Sequence, residues 1–326
     1  MSWVSRVILL SVLSFAGREV SASCEVVNAR PADFGSVGSI TLRDAVQSTS
    51  TSDAGMHCSG DVSQPWEPGT TYFRVIFSSV DNGMVGPAGD RVSYQVHASP
   101  DRNNASALAP GVMVDLAALG VVDELGVLQG SFPRSIPLFL TLAAGANVAA
   151  GTYIDSATLS WDWKYCVQQS SPGVCSSYES GSGASPMAIK LVVQNDCAIA
   201  ADDLDFGAAA LPSMFAEVNG SISVICTKGS VYTVGLSGGR NPSQGQRNML
   251  SAEGTLLAYD LFQGVGSARW GDAGAERRGS YAADLNAGSG LGTSAQKFNY
   301  RAAVYPDQAP VPAGSYVDTV LIDVAF

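Results

Sequence analysis

Along residues 316–326 the side chains alternate: Tyr316, Val320, Ile322, Val324 and Phe326 share one parity, with Asp318 the only charge among them. Asp323 and Ala325 fall on the other parity. Period-two alternation with β-branched residues predicts a strand with one face in a core. The same phrase occurs earlier, where Ala150-Gly151-Thr152-Tyr153-Ile154-Asp155 matches Ala313-Gly314-Ser315-Tyr316-Val317-Asp318. There the pattern runs past Trp161 and Trp163, the counterparts of Val324 and Phe326, to a further apolar stretch at residues 188–193. The given sequence stops at Phe326, so one copy is expected to be complete and the other one strand short.

The remaining apolar runs are also short. Residues 71–77, 91–96, 136–142, 153–165 and 186–194 read as strands of a first unit. Residues 221–226, 232–236, 256–262, 297–305 and 316–326 read as strands of a second. Turn-forming clusters separate them, among them Gln64-Pro65-Trp66-Glu67-Pro68-Gly69, Asp81-Asn82-Gly83 and Gly238-Gly239. No stretch carries a sustained helical period with caps. The fold class is therefore all-β, a sandwich or barrel built twice. The units are residues 23–195 and 196–326, joined end to end through the short Gln194-Asn195-Asp196.

Composition adds a compartment. The chain is 46% hydrophobic and 14% charged, which fits packed domains and not disorder. A net charge of −11 argues against nucleic acid or an anionic membrane as partner. Arg6, the apolar run at residues 7–17 and the small residues Val20-Ser21-Ala22 read as a signal peptide over residues 1–22, too short to span a bilayer. Lipid attachment at Cys24 is disfavoured, because Ser21 stands where lipobox sequences carry Leu. Six cysteines in an exported chain imply disulfides. The repeat selects among the pairings. Cys24 precedes Asp33-Phe34-Gly35 and is followed by Cys58, as Cys197 precedes Asp205-Phe206-Gly207 and is followed by Cys226. Cys24–Cys58 and Cys197–Cys226 are thus expected, leaving Cys166 and Cys175 to close a short loop.

The second unit carries Leu204-Asp205-Phe206-Gly207, Ile225-Cys226-Thr227, the run from Tyr232 to Gly239, Arg247-Asn248-Met249, Leu257-Ala258-Tyr259-Asp260-Leu261-Phe262, Arg269-Trp270-Gly271-Asp272 and the closing phrase at residues 312–319. On these motifs it resembles the spore coat protein U domain, the pilin module of archaic chaperone–usher pili. The first unit shares only the opening and closing motifs. The resemblance implies two immunoglobulin-like β-sandwiches, the C-terminal one lacking its last strand, in a tip adhesin subunit that mediates attachment and biofilm formation. It implies a groove bordered by Tyr316, Val320, Ile322, Val324 and Phe326 that accepts a strand from an adjacent pilin subunit. It also implies a periplasmic chaperone that occupies the groove first, an outer-membrane usher, export through the periplasm and a place at the cell surface, at the pilus tip. A shaft subunit would carry a donor segment at its mature N-terminus, whereas here Cys24 follows the expected cut almost at once. A structural shaft or coat subunit, or a secreted carbohydrate-active enzyme, are the competing readings.

Nothing in the residues argues for catalysis, cofactor or metal. His57 and His97 lie in no catalytic motif, and Asp202, Asp203 and Asp205 lack the spacing of a calcium loop. Glu179 with Asp115, Asp123 or Glu124 offers carboxylates for a glycosidase but no geometry. Two loops place apolar side chains among glycines: Met84, Val85 and Pro87, and Val121, Val122, Leu125, Val127 and Leu128. They read either as cover for the core or as an exposed adhesive patch for an unknown surface or receptor.

Overall fold

A computed structural model describes residues 22–60, 66–67, 69–102, 104–129 and 133–326. The expected leader, apart from Ala22, and the turn residues Gln64, Pro65 and Pro68 lie outside them. Among the described residues no helix is long and apolar enough to cross a membrane.

In chain order the first part forms β1 (Ser23–Val26), β2 (Ala32–Gly38), α1 (Ser39–Asp44), β3 (Gln47–Thr51), β4 (Met56–Ser59), β5 (Tyr72–Ser79), β6 (Met84–Val85), β7 (Arg91–Val92) and β8 (Gln95–His97). It continues with β9 (Met113–Asp115), α2 (Val121–Glu124), β10 (Arg134–Ser135), β11 (Leu138–Leu142), β12 (Gly151–Ser171) and β13 (Val174–Gln194). The second part forms β14 (Cys197–Ala201), β15 (Val218–Cys226), β16 (Thr233–Leu236), β17 (Arg247–Ser251), β18 (Leu256–Gln263), β19 (Arg278–Gly279), β20 (Gln296–Val304), β21 (Tyr316–Val317) and β22 (Ile322–Ala325). The all-β class holds in both parts, with only short helical turns between strands.

Alternation explains the packing. Along β5 Phe73, Val75 and Phe77 point inward, and along β12 Tyr153, Ala157, Leu159, Trp161, Trp163 and Tyr165 do the same. These faces meet Leu138, Leu140 and Leu142 of β11 in one hydrophobic core. The main sheet has the order β2-β13-β12-β5-β9, and a second has the order β3-β11-β8. Within the main sheet β13 runs antiparallel to β12 and parallel to β2, so it lies between them. The second part has its own core around Val224, Val234, Trp270 and Phe298. Its sheets have the orders β14-β15-β20-β18-β17-β21 and β19-β16-β22.

Two expectations shift. Residues 91–96 form two strands, β7 and β8, in different sheets. Residues 316–326 do not form one strand: β21 pairs with β17 and β22 with β16, so the segment passes from one sheet to the other. Between them Asp318 accepts from the Arg240 backbone N–H, and the Leu321 N–H donates to Ser237 Oγ. The bridges Cys24–Cys58 and Cys197–Cys226 join facing residues of β1–β4 and β14–β15, each with a Cα–Cα distance of 4.1 Å. Cys166–Cys175 lies near the tip of the β12–β13 hairpin.

Polar groups tie the two parts together where β13 leads into β14. Ser39 Oγ and Thr227 Oγ1 lie 2.7 Å apart and buried, and Thr227 Oγ1 accepts from the Asp196 N–H. Lys228 Nζ stands 2.6 Å from Asp90, and Asn147 Nδ2 donates to the Leu291 carbonyl. These bonds join residues of the two parts directly.

Candidate strand-acceptor groove

The two parts repeat each other bond for bond at the motifs they share. Asp33 Oδ1 accepts from the Gly35 N–H, and Asp205 Oδ1 accepts from the Gly207 N–H. Both glycines have positive φ, 72° and 73°, a conformation that a side chain disfavours. Tyr153 Oη donates to the Ala149 carbonyl, and Tyr316 Oη to that of Pro312, each four residues back. Tyr94 Oη donates to Asp155 at 2.7 Å, and Tyr259 Oη to Asp318 at 2.8 Å. Burial, and next the Asp318 carboxylate at its hydroxyl, holds the Tyr259 phenol well above the usual tyrosine range. These matches set Asp33 against Asp205 and Tyr153 against Tyr316, and so align β2 with residues 204–210 and the start of β12 with residues 314–322.

What separates the copies is β13. In the first part it fills the space between β2 and β12 with Met187, Ile189, Leu191 and Val193, all buried. Beneath it Tyr153 is 0% exposed and Asp155 1%. In the second part no strand among the described residues lies between residues 201–212 and residues 311–322. A continuous trench runs there instead. One end, a cavity of about 370 Å³, is walled by Ala201, Asp202, Asp203 and Leu204 on one side and by Asp318, Thr319, Val320 and Ile322 on the other. Its floor is Ile222, Leu236, Leu261 and Tyr300. The middle lies between Leu204–Gly207 and Gly314–Tyr316 over Met249 and Leu257. The far end lies between residues 207–212 and 311–314 over Phe215. Tyr316, Asp318, Val320 and Ile322 stay half-exposed where their first-part counterparts are sealed.

Of the residues expected to border a groove, Tyr316, Val320 and Ile322 line this trench. Val324 packs at the edge of the second core, and Phe326 stands exposed off the trench. The opposite wall, residues 201–212, is not among the residues expected from the sequence, where Asp202, Asp203 and Asp205 stand out only as a set without calcium-loop spacing. The signal was present in the repeat, because the matching Asp33-Phe34-Gly35 is the stretch that β13 pairs with.

Behind the trench sits a fully buried ion pair. The Arg247 guanidinium donates to Asp260 and to the carbonyls of Leu236, Ser237 and Trp270. Arg269 Nε supplies Asp260 with a second partner at 2.9 Å. Every polar atom of the pair is thus satisfied, the condition for keeping charge in a core.

The adhesive-loop residues fall elsewhere than on an exposed patch. Met84, Val121, Val122, Val127 and Leu128 are buried in the first core, and Leu125 packs partly against it. Val85 is half-buried and pairs with Ile154, leaving Pro87 as the exposed member. The reason is local. Gly120, at φ 74°, turns the chain into α2, and Val121, Val122 and Leu125 then share one helical face. Three of the four carboxylates weighed for catalysis hold backbone or side-chain groups of the fold: Glu179 accepts from the Cys24 N–H, Asp115 from those of Phe73 and Ala117, and Asp123 from Trp66 Nε1, while Glu124 is exposed.

The pattern of the Spore Coat Protein U domain family matches residues 11–160 and again 184–323. The chain belongs to the spore coat protein U domain family. Both copies of this domain thus carry the family pattern, one closed by β13 and one open. Among curated protein sequences none matches. Among solved structures, the chain is similar to the chaperone–tip adhesion subunit pre-assembly complex, CsuC–CsuE, of the archaic chaperone–usher Csu pili of Acinetobacter baumannii. Identity is 22% and the TM-score 0.64, over 93% of this chain and 100% of that one. A weaker match, at 10% identity and TM-score 0.31, is to a chaperone–tip adhesin complex of CFA/I fimbriae, over 91% of this chain and 96% of that one.

Proposed function

We propose that this chain is the tip adhesin subunit of an archaic chaperone–usher pilus, with residues 23–195 as the adhesive unit and residues 196–326 as the assembly unit. The observation that carries the reading is the contrast between a unit sealed by its own β13 and a repeat of it with that strand's place vacant. A sheet edge beside exposed core side chains is the setting for β-augmentation, in which backbone hydrogen bonds give affinity and alternate side chains fill the trench. The likeness of the whole two-unit architecture to a tip subunit captured with its chaperone supports the same path here. A periplasmic chaperone covers the trench after export, an outer-membrane usher receives the complex, and an adjacent pilin subunit then donates the strand.

Among its described residues the first unit has β13 where the second has a vacant strand position, which leaves it free for attachment. Its β12–β13 hairpin, with strands of 21 residues each, reaches on the order of 70 Å from the joint. Near its tip Val174 and Tyr178 are exposed among serines and glutamines. We place the contact with the unknown surface at this end, in place of the apolar loops that fold into the core. Immunogold labelling with antibodies against the first unit should mark one end of each pilus, and shortening the hairpin tip should cut biofilm formation while pilus number stays constant. Label along the whole fibre would make the chain a shaft subunit.

A further inference from the structure

We infer, resting on the strand-acceptor reading, that the strand seated in the trench is amphipathic in charge as well as in polarity, apolar inward and cationic at the outward positions facing Asp203 and Asp205. The first unit supplies the register. There β13 runs parallel to β2, with Ile189 beside Ala32 and Lys190 beside Asp33. Asp33 repeats as Asp205, so the seated strand runs parallel to residues 201–212, and its residue at the Lys190 position lies beside Asp205. Two positions earlier, that of Ala188 lies beside Asp203, the counterpart of Pro31.

The inward positions are those of Met187, Ile189, Leu191 and Val193, which need large apolar side chains to fill the volume above Leu236 and Leu257. The outward ones, those of Ala188 and Lys190, are exposed in the first unit, and one already carries a cation opposite the repeated aspartate. In the open unit the wall is more acidic than its model, with Asp202 and Asp203 standing where the first unit has Arg30 and Pro31. All three wall carboxylates are exposed, and among the described residues none of them forms an ion pair. Across the trench Asp318 adds a fourth carboxylate, already bonded by Tyr259 and the Arg240 N–H. A strand with acidic outward residues would meet like charge along its length, whereas lysine or arginine would meet opposite charge at cross-strand distance.

The test titrates the full chain with fluorescent peptides of the sequence of residues 185–194. The unaltered peptide should bind. Lys190→Glu in the peptide should weaken binding roughly two- to tenfold, and Ala188→Lys should strengthen it by a smaller factor, given the modest worth of exposed ion pairs. Both differences should shrink in high salt, and Asp203→Asn with Asp205→Asn in the chain should erase them. Equal binding of the Lys190→Glu peptide at low salt overturns the charge inference and leaves the groove standing. Failure of every peptide, or undiminished binding of one carrying Ser at positions 187, 189, 191 and 193, sinks the strand-acceptor reading itself.

Discussion

Arg247 has no access to water, and its guanidinium is held by Asp260 and by carbonyls at the end of β16 and at Trp270. It therefore pins β17 and β18 of one sheet to β16 of the other. Removing one member of such a pair strands the other charge in a dry core, which costs about 3–5 kcal/mol. Asp260→Ala should lower the second unit's stability by that order in chemical denaturation, more than any single truncation of an exposed residue. Val121→Ser and Val122→Ser make the complementary case in the first unit. Each leaves a void and a hydroxyl where a buried methyl pair stood, so each should cost roughly 2 kcal/mol in the same measurement. An unchanged transition would put those side chains back in water. Their burial was half-legible, because Val121, Val122 and Leu125 have helical spacing. A four-residue helix is too short for periodicity to distinguish from an apolar loop.

At the level of elements, β13 does for the first unit what nothing among the described residues does for the second. Its four buried side chains, at roughly 1.5–3 kcal/mol each, represent on the order of 10 kcal/mol, comparable to a domain's net stability. Ile189→Ser with Leu191→Ser should therefore unfold the first unit at temperatures the unaltered chain survives, with loss of near-ultraviolet dichroism as the readout. Strands such as β5, β12 and β20 were plain in the sequence, since each alternates over a half-buried sheet face. The division of residues 316–326 into β21 and β22 was not. It depends on which strands flank it, β17 on one stretch and β16 on the next, and alternation is blind to partners. The far wall of the trench was hidden for a similar reason: residues 202–209 form no strand, and only comparison with β2 gives them a role.

In the whole molecule the joint decides how the two units are presented to one another. Asp90 accepts from Lys228 across it, and from the Ala149 N–H, and these bonds hold its carboxyl below the usual aspartate range. A carboxylate whose folded pKa is depressed stabilises above its unfolded value, about 3.9, and that contribution is lost as pH falls through the folded value. The joint should thus loosen below about pH 4, seen as a larger radius of gyration in solution scattering. Asp90→Asn should reduce that pH dependence, and equal responses of the two proteins would remove Asp90 from the joint.

The claim that everything else hangs on is that one unit is sealed and its repeat is open. Amide hydrogen exchange on the full chain measures this residue by residue. The account predicts slow exchange along β12 and β13 and fast exchange along residues 202–210 and 318–320, turning slow when a strand peptide of the residue 185–194 sequence is added. Residues 202–210 and 318–320 protected as strongly as β12 in the peptide-free chain would contradict it.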